Sequence, residues 1–238
     1  MAKSFMKNSL TQTLQQEIIN KGSYYPLDVL FVGATGSGKS STINALANNE
    51  IAQVGHSPDP QTQLVSSYRI DHFLRLHDSA GLGDGKEADL IHCKNIVDSL
   101  NKTFGVNSHN KQQYGLIDLV LVILEGGKRD LGGTYKLLES VILKNIEAQR
   151  VVVLINQADL AMKGRCWDHS LNQPEPELHK YLEKQSVSVQ ARIKKSTGIT
   201  IAQPCYYSAE KHYNLDAVMN HLIAHLPAYP RKLKPTSI

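Results

Sequence analysis

The feature that most constrains this chain is an octapeptide, Gly33-Ala34-Thr35-Gly36-Ser37-Gly38-Lys39-Ser40, together with its surroundings. It matches the pattern G-x-x-x-x-G-K-[ST] in full. It follows Leu27 to Val32, an apolar run that reads as a short strand, and opens a segment whose Ile43, Leu46 and Ala47 mark one face of a helix. In a strand, loop and helix of this kind the glycines let successive backbone N–H groups turn inward around phosphate oxygens, and the helix N-terminus points at the same anion. Lys39 adds a mobile positive charge, the Ser40 hydroxyl is placed to ligate Mg²⁺, and Ser41 continues the same turn. A phosphate-binding α/β unit is therefore the frame for everything else in the sequence.

The remaining segments take turns as strands and helices. Met6, Leu10, Leu14 and Ile18 recur every fourth residue and predict an amphipathic helix ending near Lys21-Gly22. Leu64 to Ile70 and His72 to His77 read as strands, and Glu87 to Leu100 as a helix. Thr103 to Tyr114 is polar and reads as a loop. Leu116 to Leu124 and Val151 to Ile155 are nearly unbroken aliphatic runs, as in central strands covered on both faces. Helices are expected over Thr134 to Ile146, from Leu178 to the residues before Gly198, and along Leu215, Val218, Leu222 and Leu226, with a last strand at Pro204 to Tyr207. The alternation predicts a three-layer α/β fold, a mainly parallel sheet with helices on both faces. We divide the chain into an N-terminal helix and linker (1–26), the nucleotide-binding domain (27–226) and a basic tail (227–238).

Composition narrows the setting. The formal charge of +4 is too small to argue for a nucleic-acid or membrane partner. Cys93, Cys166 and Cys205 are odd in number and show no Cys-x-x-Cys spacing, which fits reduced thiols in a cytoplasmic protein. No apolar stretch reaches the length of a membrane span. His221 and His225 have helical i, i+4 spacing without a Glu or Cys to complete a metal site and read as a surface face, and Arg231-Lys232-Leu233-Lys234 reads as a solvated tail.

The base follows from Asn156-Gln157-Ala158-Asp159, directly after the strand Val151 to Ile155. That is the carboxyl edge where open α/β sheets bind ligands. An aspartate there accepts from guanine N1–H and the 2-amino group, a pair that adenine does not offer. Rejecting the wrong base then comes from leaving a buried carboxylate unpaired.

In this order the chain resembles the translation-factor class of GTPases. Gly33 to Ser40, Asp78-Ser79-Ala80-Gly81, Asn156 to Asp159 and Tyr207-Ser208-Ala209 match its four nucleotide boxes across about Leu27 to Leu226, most nearly as in the Era-like branch and its small bacterial relatives. The resemblance implies GTP and GDP as ligands with Mg²⁺ held by Ser40, Thr62 and, through water, Asp78. It implies a γ-phosphate contact from the Gly81 N–H, catalytic roles for Lys39, Thr62 and Gly81, and backbone support of guanine by Ser208 and Ala209. Gln157 stands where the family usually has lysine, and Ala80 where proline is common.

Leu82 occupies the place of the glutamine that orients attacking water in Ras-like proteins, so the chain resembles the hydrophobic-substituted GTPases. Asp84 and the pair Lys128-Arg129 are internal candidates for its task, although an ordinary solvated turn is the better reading of both. The expected activity is slow GTP hydrolysis stimulated by a partner or by self-association, as in a homodimer. The effector is not legible. A nucleotide-dependent assembly module resembling septin and chloroplast-import GTPases, an RNA- or ribosome-binding factor and an ATPase remain as alternatives. Against the RNA- or ribosome-binding factor stands the expectation that no RNA-binding domain is added after the last helix.

Overall fold

Seven residues of Leu27–Gly33 (β1), seven of Leu119–Glu125 (β6) and six of Val151–Asn156 (β7) are buried without a break, so each strand must be covered on both faces. A computed structural model, which describes residues 2–21, 25–48, 50–52, 65–83, 85–106, 112–127 and 132–233, satisfies that demand with a three-layer fold. The chain runs through α1 (Ala2–Asn20), β1, α2 (Lys39–Ala47), β2 (Ser66–Arg69), β3 (Leu74–Asp78), α3 (Lys86–Asn101), β4 (Thr103–Val106), β5 (Gln113–Gly115) and β6. It continues through α4 (Gly132–Leu137), a π-helical segment Leu138–Ile142, α5 (Leu143–Asn145), β7, β8 (Trp167–Asp168), β9 (Gln173–Pro174), α6 (Pro176–Thr197), β10 (Cys205–Tyr206) and α7 (Leu215–Ala224).

The main sheet has the order β10-β7-β6-β1-β3-β2 and is parallel except for the outer strand β2, which pairs antiparallel with β3. Alternate residues of the central strands feed two cores. Leu30, Val32, Val120 and Val122 pack with Ile96 and Leu100 of α3 and with Leu178, Leu182 and Val189 of α6. Val29, Phe31, Leu121 and Ile123 pack on the opposite face with Ile43 of α2 and Val218 and Leu222 of α7. Leu14 and Ile18 of α1 belong to that second core, and Lys21 Nζ donates to the Leu226 carbonyl at 2.8 Å. Leu14 and Ile18 of that pattern thus cover one side of the domain. Each of the two side chains, fully buried, contributes roughly 1.5–3 kcal/mol.

Three sequence expectations change. The segment 103–114, read as a loop, holds a two-stranded antiparallel hairpin of β4 and β5. Its strands are too short and polar to show a period, and they are completed by the tail: Gly115 N–H donates to Arg231 O, Leu233 N–H donates to Gln113 O, and Tyr114 bridges Lys232. Arg231, expected in solvent, is 3% exposed. Its guanidinium donates to the carbonyls of Ile117, Leu100 and Asn145, which include the carbonyl ends of α3 and α5. The helix expected over 134–146 is broken by the π segment. The long polar connection 161–174 contains the β8–β9 hairpin, pinned by Trp167, which is buried and meets Tyr213 edge to face at 5.2 Å.

Candidate functional site

The carboxyl ends of β1, β3, β7 and β10 gather the four sequence boxes at one edge of the sheet. The phosphate loop leaves β1 at Gly33 and enters α2 at Lys39, as its residues predict. Gly38 takes φ 85°, and a Cβ there would lie 2.2 Å from Asn156 Nδ2, so both the turn and the neighbouring loop require glycine. Ser37 is fully buried, and its Oγ has no hydrogen-bond partner among the described residues. Lys39 is buried too, its ammonium donating to the carbonyls of Ala34 at 3.0 Å and Gly33 at 3.3 Å. The loop thus holds a positive charge over its own backbone, ready for a phosphate.

The segment after β3 is laid directly on that loop. Thr35 N–H donates to Leu82 O at 2.7 Å, Leu82 N–H donates to Gly33 O at 3.3 Å, and Ala34 and Leu82 form a parallel bridge. Gly81 fits only because it lacks a side chain, since a Cβ would stand 2.4 Å from the Thr35 Cα. Leu82 turns its side chain into the core shared with α3 and α6. Ser40 Oγ donates to Asp78 Oδ2 at 2.5 Å, whereas Asp78 Oδ1 is buried and has no partner among the described residues. Burial pushes the Asp78 carboxyl up, against the Ser40 hydrogen bond and the Lys39 charge, which pull it down. A hydroxyl and an under-coordinated carboxylate beside a phosphate loop are hard oxygen donors of the kind Mg²⁺ takes. Ser40 and Asp78 therefore fit the metal.

The base side is built by β7 and β10. Asn156 does not face solvent: its Nδ2 donates to Ser37 O at 2.9 Å and its Oδ1 accepts from the Ala209 N–H at 3.0 Å, joining three boxes through one amide. Gln157, in a left-handed conformation at φ 59°, donates through Nε2 to Gly36 O at 2.8 Å. Its side chain thus adds a second tie to the loop. Asp159 is 6% exposed, and its Oδ1 is buried with no partner among the described residues, an orphan acceptor where the sequence places a base contact. Ser208 is fully buried and Ala209 nearly so, and Ser208 Oγ accepts from the Lys211 N–H at 3.0 Å.

Thr62, Asp84, Lys128 and Arg129 lie outside the described residues. Two contacts were not read from the sequence. Tyr207 sends its hydroxyl to Thr42 Oγ1 at 2.8 Å, and Gly126, whose N–H donates to Asn156 O at 2.7 Å, supports the base loop from β6. The Gly126-Gly127 pair after a central strand was the available signal for the latter; Thr42 carried none, and Tyr207 was read only as the first residue of the box Tyr207-Ser208-Ala209.

Comparison with known proteins agrees with this geometry. The family model described as 50S ribosome-binding GTPase matches residues 28–191. The chain belongs to that family. It is therefore a P-loop GTPase by descent, and the match covers three of the four boxes. A probable GTP-binding protein EngB of Neisseria gonorrhoeae (strain NCCP11945) is 29% identical over 170 residues, which cover 69% of this chain and 73% of that one. The EngB of Malacoplasma penetrans (strain HF-2) is 43% identical over 65 residues, 27% of this chain. The chain spans about a third of that relative's length, 34%. These GTPases are EngB proteins rather than Era proteins. Toc33 from Arabidopsis thaliana, crystallised with GDP and Mg²⁺, shares the fold with a TM-score of 0.61 at 15% identity, over 94% of this chain and 95% of that one. No helix among the described residues is long and apolar enough to cross a membrane.

Proposed function

We propose that this GTPase binds GTP and GDP with Mg²⁺ and hydrolyses GTP slowly, its turnover raised by a partner or by a second copy of itself. The observation that carries the reading is a pair of buried carboxylate oxygens, Asp159 Oδ1 and Asp78 Oδ1, that have no partner among the described residues, on the edge that also holds the phosphate loop. Each is costly in the free protein and finds donors or a metal only when nucleotide binds. In this reading Lys39 and the loop amides hold the phosphates, and Asp159 reads guanine. Ser208 and Ala209 close the base pocket, Ser40, Asp78 and Thr62 hold the metal, and Gly81 senses the γ-phosphate. Mg²⁺ supplies neutralisation of charge on the transferred phosphoryl group.

Slow turnover follows from Leu82. Its side chain is committed to the core and has no group to orient water, so that task falls to a group from outside the described site. An Era-like placement within the translation-factor class rests on the order of the boxes, and cytoplasmic residence on the reduced cysteines. Single-turnover GTP hydrolysis at several protein concentrations tests the reading. A slow rate that climbs with concentration supports self-association, and a slow, concentration-independent rate supports an external partner. A fast rate independent of concentration refutes the role given to Leu82.

A further inference from the structure

Between the base loop and α6 the chain makes a detour, the β8–β9 hairpin, which adds no strand to the main sheet. Its turn is tied locally. Asp168 Oδ1 accepts from the N–H groups of Ser170 at 2.8 Å and Leu171 at 2.9 Å, and Asn172 takes the left-handed conformation at φ 51°. At the open end the Glu175 N–H donates to Cys166 O at 2.8 Å. A hairpin with strands this short does not stand alone in water, so the surface it leans on decides its place.

That surface is the turn after β10. Asn172 Nδ2 donates to Lys211 O at 2.8 Å, and the Trp167 indole, 5% exposed, meets the Tyr213 ring edge to face at 5.2 Å. Both contacts fall on one closed unit. The Ser208 N–H donates to Tyr213 O at 3.1 Å and the Tyr213 N–H donates to Ser208 O at 3.0 Å, while within the turn the Lys211 N–H reaches Ser208 Oγ at 3.0 Å and the His212 N–H reaches Ala209 O at 3.3 Å. The inner end of the unit is Ala209, whose N–H meets Asn156 Oδ1 at 3.0 Å. The nucleotide boxes thus hold residues 208 to 213 from inside, and the hairpin holds them from outside through one amide and one ring.

We infer that the β8–β9 hairpin is a positioning element for guanine, with Asn172 and Trp167 setting where Ser208 and Ala209 stand against the base. The inference rests on the reading of those two residues as supports of the base. Asn172 and Trp167 act through the 208–213 turn and not by contact with the nucleotide. Loosening the turn therefore weakens the grip on the base and leaves the phosphates, held by the loop after β1, as they were.

The test uses the full chain and two variants at one position. Asn172→Gly keeps the left-handed backbone and removes the amide, whereas Asn172→Asp keeps the shape and sets a carboxylate against the Lys211 carbonyl. Competition with fluorescent GDP gives affinities for GDP, ADP and magnesium pyrophosphate. GDP affinity is expected to weaken about 3- to 10-fold in both variants, the usual effect of one lost hydrogen bond, with pyrophosphate affinity unchanged. Partial unfolding weakens both ligands alike. Trp167 is the chain's only tryptophan, so its emission in the wild type reads the same coupling without a substitution and decides the matter if the variants fail to fold. GDP should change its intensity or its quenching by acrylamide, and pyrophosphate should change neither. Folded variants that bind GDP as the wild type does, variants that lose GDP and pyrophosphate together, or wild-type emission that ignores GDP overturn this inference and leave the guanine reading standing. A wild type that holds ADP as tightly as GDP overturns that reading, and this inference with it.

Discussion

Thr42 Oγ1 and Tyr207 OH share a hydrogen bond of 2.8 Å in the interior, between the first turns of the helix that follows the phosphate loop and the strand end that precedes Ser208. Tyr207 is fully buried, and burial drives its phenol far above the ordinary range, so it stays a neutral hydroxyl. Thr42 Oγ1 in turn reaches the Gly38 carbonyl at 2.7 Å, which continues the connection into the loop itself. Phosphate side and base side are thus fastened through the core as well as through Asn156.

Tyr207→Phe keeps the ring and removes the hydroxyl. Leaving Thr42 with its Gly38 bond but without this partner is expected to cost about 1 kcal/mol, the usual net value of one buried hydrogen bond. Chemical denaturation measures it, and GTP affinity should fall in parallel because Gly38 loses a brace. Unchanged stability and unchanged affinity would show that the bond fastens nothing.

This fastening marks the boundary of what the sequence discloses. Gly33 to Ser40 and Asn156 to Asp159 were legible because their chemistry needs particular residue types at fixed spacing beside a strand. The central strands were legible because burial on both faces writes unbroken aliphatic runs. Thr42 and Tyr207 lie 165 positions apart, and although Tyr207 opens the box Tyr207-Ser208-Ala209, nothing local says that its hydroxyl meets a helix threonine. The β4–β5 hairpin escaped because half of its pairing comes from Arg231 to Leu233, and Arg231 itself looked solvated because its neighbours are basic and its acceptors are distant carbonyls.

Acidity acts at the opposite end of the sheet from the nucleotide. Asp118 Oδ2 accepts from the Asp28 N–H at 3.0 Å. Burial, with the Asp28 charge adding to it, pushes its carboxyl up to about 7 against the backbone bond and the charges of Arg150 and Arg231. In the unfolded chain the group titrates near ~3.9. Between those values the folded state holds a proton that the unfolded state has released, so stability falls as pH rises through this window and levels off above about 7. Asp118→Asn retains an acceptor for the Asp28 N–H and has no proton to lose. Its Tm relative to wild type should therefore improve from pH 5 to pH 8, by the equivalent of roughly 1–3 kcal/mol. Parallel Tm curves for the two proteins would show that Asp118 titrates alike folded and unfolded.

Lys39→Ala removes a charge that the free protein keeps on the Gly33 and Ala34 carbonyls. These carbonyls belong to the loop and not to a core, so the fold should survive. GTP affinity or turnover should fall by ~10²-fold or more, as with other lost phosphate-stabilising groups. Titration with fluorescent GTP and a circular dichroism spectrum suffice. A folded variant with wild-type affinity and wild-type turnover would remove Lys39 from the site.

The last expectation concerns Asp159, whose Oδ1 is buried at the carboxyl edge of β7 without a partner among the described residues. If that carboxylate accepts from guanine N1–H and the 2-amino group, Asp159→Asn sets an amide donor against a donor on the base. GTP should then be lost. Xanthine carries a carbonyl in place of the amino group, so the same amide donates to it, and the variant should gain affinity for XTP as it loses GTP. Discrimination built on such hydrogen bonds reaches roughly 10⁴-fold, so the exchange of preference should be large. Unfolding lowers affinity for every nucleotide and raises it for none, which makes the gain the informative half of the experiment. Competition binding with GTP, ATP and XTP on both proteins decides it. Equal affinity of the wild type for ATP and GTP, or a folded variant with no gain for XTP, would mean that Asp159 does not read the base.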